Sequence, residues 1–271
     1  MSAKREIMMG ASGGLGYRIF SFALGLRLSR LLKRELVFSW LNSPECAADF
    51  EDLFEPYENI KIVNTRIDER KVPILNYGNV VYPSRKIQNL LYRTFWKKKE
   101  PELIGYIRKL KPRKVFLDKI KTFSESNFDS HTVSIHLRRT DLPSWISKNM
   151  PSNIEVIRML RAYASKNRGT KFFLATDSKK TEKMLVAALG GRVITYPKNE
   201  WVAKHDSEKD WARNIYRSRA SLEDSLVELY LLSNTRRFLR FNVYCGNFNV
   251  LASLLNPKQK IITLDYKRKT A

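Results

Sequence analysis

Residue types that bind phosphate and transfer protons come together in the segment His136-Leu-Arg-Arg-Thr-Asp141. The segment directly follows residues 132–135, an apolar run typical of a buried strand. Each arginine offers a planar, permanently charged guanidinium that matches two phosphate oxygens. We therefore predict that Arg138 and Arg139 bind a diphosphate, and that Asp141 holds an arginine, contacts a sugar hydroxyl or accepts a proton. The alternative is a cluster of surface ion pairs.

A glycine-rich turn follows the first apolar run, in the stretch Gly10-Ala-Ser-Gly-Gly-Leu-Gly16-Tyr-Arg18. Glycines let the backbone approach a ligand closely, and the N-terminus of the following helix attracts anions. The spacing does not match the dinucleotide fingerprint, and no Lys-Ser/Thr pair follows to make a P-loop. Gly14, Gly16 and Arg18 are therefore candidates for ligand binding, with a tight strand-to-helix turn as the alternative.

Polar side chains also follow or interrupt three later apolar segments. Asp177 ends an apolar strand, where it either contacts a ligand or caps the next helix. Glu228 lies on a helix whose leucines face the core, so it is either a ligand-binding or a solvated carboxylate. Asn247, Phe248 and Asn249 begin a helix, which is a favourable place for an anion.

The elements that must position these residues alternate between strands and helices. Such alternation predicts an α/β protein with mainly parallel sheets, organised as two Rossmann-like lobes that face a central cleft. We expect an N-terminal lobe over 1–125 and a C-terminal lobe over 126–271, divided at a largely polar segment. The predicted strands are 6–9, 35–40, 60–63, 79–82, 114–117, 132–136, 171–175, 192–196, 237–243 and 260–264. The predicted helices are 15–33, 85–99, 102–110, 152–166, 179–188, 222–234 and 248–255.

The net charge of +23 favours anionic partners, although the excess is spread over both halves of the chain. No apolar stretch is long enough for a membrane span, and no signal peptide is visible at the N-terminus, so we expect a cytoplasmic protein with reduced thiols. The basic segment 85–99 is either a membrane-peripheral helix or an ordinary basic helix face. The three histidines do not repeat at metal-ligand spacing, and we expect no metal.

Other ionisable side chains are candidates for the base or for acceptor binding. Glu200, His205 and Asp206 lie in a polar stretch, where they are alternatives to Asp141 as the base. An acidic stretch over 45–58 is either a solvated loop or a loop on the acceptor side.

The ordered set of motifs resembles the fucosyltransferase superfamily. The stretch Gly13-Gly-Leu-Gly-Tyr-Arg18 is similar to the opening of the α1,2-fucosyltransferases. The segment His136-Leu-Arg-Arg-Thr-Asp141 is similar to the His-x-Arg-Arg-Thr-Asp of the core α1,6-fucosyltransferases and the nodulation enzymes, and Leu174-Ala-Thr-Asp177 matches a further segment of those enzymes. The run from Glu228 to Ser233 and then Asn247-Phe-Asn249 resembles the closing signature of the superfamily.

The resemblance implies a GT-B fold and inverting, metal-independent transfer of fucose from GDP-fucose to a glycan or glycoconjugate acceptor, without a cofactor. The positive charge of the chain favours an acidic or lipid-linked glycan as this acceptor. It implies that Arg138 binds the β-phosphate and assists departure of GDP, and that His136 contacts the ribose or guanine. Glu228 would read the guanine edge, and Asn247, Phe248 and Asn249 would contact the phosphates.

Four positions depart from the family's pattern. Tyr17 replaces an asparagine of the glycine turn, and Glu228 replaces an aspartate. Leu142 and Ile146 stand where the core α1,6 enzymes have a lysine and a glutamate, so the usual base candidate is missing. Three alternatives stay open: a transferase of the same fold that uses another nucleotide sugar, a basic nucleic-acid-binding protein, and an inactive glycan-binding relative.

Overall fold

The structure is a computed structural model that describes residues 6–11, 13–58, 60–64, 75–77, 101–140, 147, 149–201, 203–204, 215–243 and 246–266. The strand predicted at 79–82, the helix predicted at 85–99, and the candidates Asp141, His205 and Asp206 lie outside these residues. By its internal contacts the chain divides into two compact units, Met1–Lys114 and Val115–Ala271.

The first unit is built on a parallel sheet in the strand order β3-β2-β1-β4. Its core is rich in aromatic side chains, with Phe22 of the first helix in edge contact with Phe38 and Trp40 in edge contact with Phe50 and Phe54. The first helix is apolar nearly all round, which explains why its first three turns are buried apart from Tyr17. The elements are β1 (Glu6–Ala11), α1 (Leu15–Leu32), β2 (Glu35–Trp40), α2 (Phe50–Leu53), β3 (Lys61–Val63), β4 (Leu75–Tyr77) and α3 (Pro101–Lys109).

The second unit is built on a five-stranded parallel sheet in the order β11-β10-β5-β6-β7. Its elements are α4 (Lys114–Asn127), which starts at the boundary, then β5 (Thr132–Leu137), α5 (Asn153–Lys166), β6 (Lys171–Thr176), α6 (Lys179–Leu189), a 3-10 turn (Gly190–Arg192), β7 (Val193–Ile194), β8 (Ala203–Lys204), β9 (Ile215–Tyr216), α7 (Arg219–Asn234), β10 (Arg237–Phe241), α8 (Asn247–Leu255) and β11 (Lys260–Leu264). Strands β8 and β9 form a separate antiparallel pair.

The core of the second unit lies between the central strands and the helices that follow them. Strands β5 and β6 are buried almost along their whole length, as expected when helices cover both faces of a parallel sheet. Their pairing runs from Thr132 opposite Lys171 to Leu137 opposite Thr176, so the segments that follow the two strands leave the sheet side by side. The sheet therefore brings the segment after His136 close to Asp177.

The strand predicted at 114–117 is wrong, because these residues begin helix α4. Phe116 and Ile120 are four residues apart and buried, and Phe123 continues this face one turn later with edge contacts to Phe173 and Tyr196. The short apolar run was the first turn of an amphipathic helix, and a four-residue window does not distinguish that pattern from a strand. The predicted domain boundary at 125 falls near the end of the same helix.

Among the helices in the described part of the chain, none combines the length and apolar character needed to cross a membrane.

Candidate nucleotide-binding site

The glycine turn of the first unit connects β1 to α1. Gly13 has a φ of +80°, a left-handed conformation that favours glycine, and Gly14 is the N-cap residue of α1. Gly16 is buried in the first turn of the helix. The backbone conformation of the turn therefore favours glycine at position 13.

Arg18 holds this turn from inside the first unit. Its side chain is fully buried, with Nε donating to the Gly13 carbonyl oxygen at 2.8 Å, Nη1 to the Leu41 carbonyl and Nη2 to the Ser43 hydroxyl at 2.9 Å. The guanidinium also lies over the ring of Trp40, and burial lowers its pKa from the usual value. Its protein contacts link the loops after β1 and β2, so any effect of Arg18 on a ligand would pass through these loops.

His136 stands at the carboxyl end of β5 and meets the first turn of α8. Its Nδ1 atom lies 2.8 Å from Oδ1 of Asn249, and its ring stacks on Phe248 with centroids 5.4 Å apart. With the amide oxygen accepting, the imidazole proton is on Nδ1. The structure therefore brings together three of the residues that the sequence singled out, from segments more than a hundred positions apart.

The N-terminus of α8 faces the same end of the sheet. Gly246 is the N-cap, and Asn247 is almost fully buried. The backbone N–H of Asn249 donates to the Gly246 carbonyl oxygen at 3.0 Å. The first amides of a helix lack intrahelical acceptors, and the helix dipole makes this end positive. An anion next to His136 would therefore be stabilised by the free N–H groups and by the positive end of the helix dipole.

The loop after β5 carries both predicted phosphate-binding arginines. Arg138 and Arg139 are half-buried. Within the described part of the chain, the buried Nε and Nη2 atoms of Arg139 have no hydrogen-bond partner. Burial lowers the pKa of Arg139, while the nearby carboxylate of Asp177 acts in the opposite direction. A buried guanidinium with unfilled donors is suited to an anion that carries several acceptor oxygens.

Asp177 uses its carboxylate to hold this loop. Oδ1 accepts from the Arg139 amide at 2.6 Å, and Oδ2 accepts from the Thr140 amide at 3.1 Å and the Thr140 hydroxyl at 2.6 Å. The N-cap of α6 is the neighbouring Ser178, whose hydroxyl accepts from the Thr181 amide at 3.2 Å. The interpretation of Asp177 as a helix cap is therefore wrong.

Glu228 is buried rather than solvated, with 5% of its surface exposed. The Lys198 ammonium lies 2.7 Å from Oε1 of Glu228 and 3.3 Å from Glu182, and also lies over the Trp201 ring. Burial raises the pKa of Glu228 to about 7, although the Lys198 charge opposes the shift. One turn earlier on the same helix, Asp224 accepts from the backbone and side-chain amides of Asn199.

Lys198, Asn199 and Asp224 were not among the site residues predicted from the sequence. A signal was present, because Asp224 and Glu228 are four residues apart and so share one face of α7. The loop that supplies their partners follows β7, again at the carboxyl end of the sheet.

The candidate bases remain predictions. Asp141, His205 and Asp206 lie outside the described residues, and exposed Glu200 accepts a hydrogen bond from Ser218. Within the described ranges, no group of three or more His, Cys, Asp or Glu side chains is arranged to hold a metal ion.

Neither a protein-family model nor a curated protein sequence matches the chain. Solved structures do match it. The fucosyltransferase NodZ from Bradyrhizobium aligns with a TM-score of 0.62 and 19% identity over 94% of each chain. The NodZ α-1,6-fucosyltransferase soaked with GDP-fucose gives a TM-score of 0.60 and 18% identity, covering 94% of this chain and 93% of that one.

POFUT1 is also similar over nearly the whole chain. POFUT1 in complex with GDP aligns with a TM-score of 0.58 and 11% identity, covering 98% of this chain and 99% of that one. The similarity in structure extends through both units, at identities too low to carry residue roles across. This chain has the GT-B-type α/β fold of the NodZ and POFUT1 structures.

Proposed function

We propose that this protein is a glycosyltransferase that transfers fucose from GDP-fucose to a glycan or glycoconjugate acceptor. The observation that carries the proposal is the contact of His136 with Phe248 and Asn249 at the N-terminus of α8. Arg138 and Arg139 follow His136 closely in the sequence. The similar NodZ and POFUT1 structures, which were obtained with GDP-fucose and GDP, support the choice of donor.

The donor would bind through its charge and its nucleoside. Arg138, Arg139 and the first amides of α8 bind the diphosphate, because they supply positive charge and hydrogen-bond donors at one edge of the sheet. His136 contacts the ribose or the base, and Asn249 fixes the orientation of its ring. Glu228 accepts from the guanine edge. Gly14 and Gly16 belong to the acceptor-side unit, whose backbone turn is held by Arg18.

The reaction would be a direct displacement at the anomeric carbon of fucose. An acceptor hydroxyl forms the new bond to C1 while the bond from C1 to the β-phosphate oxygen breaks, which inverts the configuration. GDP leaves with the negative charge, and one preorganised hydrogen-bond donor aimed at such developing charge is worth roughly 3–4 kcal/mol. We assign this role to Arg138. The acceptor proton passes to a carboxylate, for which we propose Asp141.

A turnover assay tests the proposal. Purified protein is incubated with GDP-fucose and a mixture of oligosaccharide acceptors, and GDP release and acceptor mass are measured with and without EDTA. We expect the addition of one deoxyhexose, equal rates in EDTA, and no transfer from GDP-mannose or UDP-galactose. Transfer from a UDP-sugar alone, or full inhibition by EDTA, would contradict the donor or the metal-independent chemistry respectively.

The contact between Lys198 and Glu228 favours a second candidate, a transferase of the same fold that uses another nucleotide sugar. Reading guanine requires a carboxylate that accepts from two N–H groups, and one oxygen of Glu228 already lies 2.7 Å from an ammonium group. The UDP-sugar arm of the same assay distinguishes this candidate from the first.

A further inference from the structure

Three hydrogen-bond donors converge on the single carboxylate of Asp177. They are the amides of Arg139 and Thr140 and the Thr140 hydroxyl, at 2.6, 3.1 and 2.6 Å. Hydrogen bonds to a charged acceptor are the strong ones in proteins. The loop after β5 is therefore fixed at its backbone by a side chain from the neighbouring strand end.

The position of Asp177 makes this contact rigid. Its neighbour Thr176 is the last residue of β6, and Leu137 is the last residue of β5. The Thr176 hydroxyl donates to the Leu137 carbonyl oxygen at 2.7 Å. On the other side, Ser178 caps α6. Asp177 is thus held between a paired strand end and a capped helix, which leaves its carboxylate little freedom to follow the loop if the loop moves.

The side chain most directly fixed by this contact is that of Arg139, because the backbone N–H of Arg139 is one of the three donors to Asp177. The Nε and Nη2 atoms of its guanidinium are buried and have no partner within the described part of the chain. Leaving such donors unfilled is costly, and an anion with several oxygens fills them. This side chain starts from the backbone segment that Asp177 holds.

We propose that Asp177 is a positioning residue for the diphosphate. It does not itself contact the nucleotide sugar, and its three hydrogen bonds to the loop after β5 direct Arg139 at the anion. The inference rests on the proposed function, since the anion is taken to be the diphosphate of the nucleotide sugar. It differs from the sequence-based expectation that Asp177 contacts the ligand.

Electrostatics alone predicts the opposite effect of removing Asp177. A carboxylate beside an anion site repels the anion, so loss of its charge should tighten binding. If the carboxylate acts by positioning, its loss should weaken binding, because the guanidinium is no longer preorganised where the anion binds. The sign of the change therefore distinguishes the two.

The test is a calorimetric binding series with GDP and, separately, inorganic pyrophosphate. Asp177→Asn keeps the size of the side chain and Asp177→Ala removes it, and we expect both to weaken binding of either probe roughly tenfold or more. Thr140→Val removes one of the three donors and should give a smaller loss. Ser165→Ala is the control, since it removes an exposed hydroxyl that bonds only to the Ala162 carbonyl oxygen of helix α5, and it should leave both affinities unchanged.

A double-mutant cycle with Arg139→Ala identifies the route. If Asp177 acts through Arg139, the double variant should bind no more weakly than Arg139→Ala alone, whereas a general structural effect would add to it. Unchanged or tighter binding by Asp177→Asn, or additive losses, would overturn the inference. If the wild-type protein binds pyrophosphate but not GDP, the proposal that GDP-fucose is the donor is wrong. The pyrophosphate series would still decide the role of Asp177. Binding of neither probe would overturn both.

Discussion

At the scale of single residues, two charged side chains hydrogen-bond to backbone segments that we propose lie next to a ligand. Arg18 links the loops after β1 and β2, and Asp177 fixes the loop after β5. Both are hydrogen-bonded within the protein, so their substitution should first change the shape of a loop. The two residues differ in burial, because Arg18 is completely enclosed and Asp177 is half-buried.

Replacement of Arg18 by methionine should strongly destabilise the first unit. The variant leaves the Gly13 and Leu41 carbonyls and the Ser43 hydroxyl without their donor, and we expect a loss of about 3 kcal/mol or more in unfolding free energy. Urea unfolding measures this change. Arg30→Met on the same helix is the control, because Arg30 is exposed and its ion pair with Glu102 lies at the surface. Equal effects of the two substitutions would contradict the role of Arg18.

Glu228 should make stability depend on pH. Its pKa is raised from 4.5 to about 7, so between these values the folded protein holds a proton that the unfolded chain has released. The carboxyl therefore reduces stability as pH rises from about 4.5, and the full cost is present above about pH 7. Glu228→Gln lacks this cost.

We expect the unfolding free energy of Glu228→Gln, relative to wild type, to increase by about 2–3 kcal/mol between pH 4.5 and pH 8. The measurement is urea unfolding of both proteins at intervals across this range. A difference that stays constant with pH, or that falls as pH rises, would show that Lys198 keeps the carboxyl ionised throughout.

The sequence predicted the residues that follow strands better than the partners of buried charges. His136 and Asn249 were singled out because each lies where a strand end or a helix start presents polar groups, and the structure joins them. Lys198 was missed, because its contact with Glu228 depends on how the loop after β7 packs against α7. The buried position of Arg18 had a signal, since it falls between Leu15 and Phe22 on an apolar helix face.

At the scale of elements, the N-terminus of α8 is the part of the site where helix stability and ligand binding separate. Asn249 lies in the first turn, where a negative charge stabilises the helix by about 0.3–1 kcal/mol. The same charge would repel a bound diphosphate. The two effects of an added carboxylate at this position therefore have opposite signs.

We predict that Asn249→Asp binds GDP more weakly than Asn249→Ala, although both variants lose the amide that contacts His136. Calorimetry with GDP measures the affinities, and thermal unfolding confirms that the aspartate variant is at least as stable as the alanine variant. Ser253→Ala serves as the control because its hydroxyl bonds within the same helix, one turn farther on. Equal affinities for the two Asn249 variants would mean that the diphosphate does not lie at this helix end.

Element types were predicted where periodicity was long, and were wrong where the window was short. The long helix α1 and the buried strands β5 and β6 follow from their patterns. The residues 114–117 look like a strand when taken alone, and the helix becomes visible only when Ile120 and Phe123 are read with them.

At the scale of the whole molecule, the residues proposed to bind the donor belong to one of the two units. The binding residues His136, Arg138, Arg139, Glu228 and the first turn of α8 all lie within Val115–Ala271, and so does the positioning residue Asp177. Helix α4 belongs with them, because Phe123 packs on Phe173 and Tyr196 of the same unit.

We therefore expect the fragment 115–271 to fold and to bind GDP, whereas the fragment 126–271 should be less stable by about 3 kcal/mol, since it loses the buried side chains of α4. Circular dichroism with urea and calorimetry with GDP compare the two fragments. A stable fragment 126–271 would place the start of the second unit at the boundary predicted from the sequence. Folded fragment 115–271 without GDP binding would mean that the first unit is needed for the donor.

The most direct test of the donor assignment is calorimetric titration of the full-length protein with GDP, in the presence of EDTA and with UDP as the comparison. We predict micromolar binding of GDP, at least roughly tenfold weaker binding of UDP, and loss of GDP binding in Arg138→Ala, since that variant removes a cation from the diphosphate. No binding of GDP, a preference for UDP, or unchanged binding in Arg138→Ala would contradict the account.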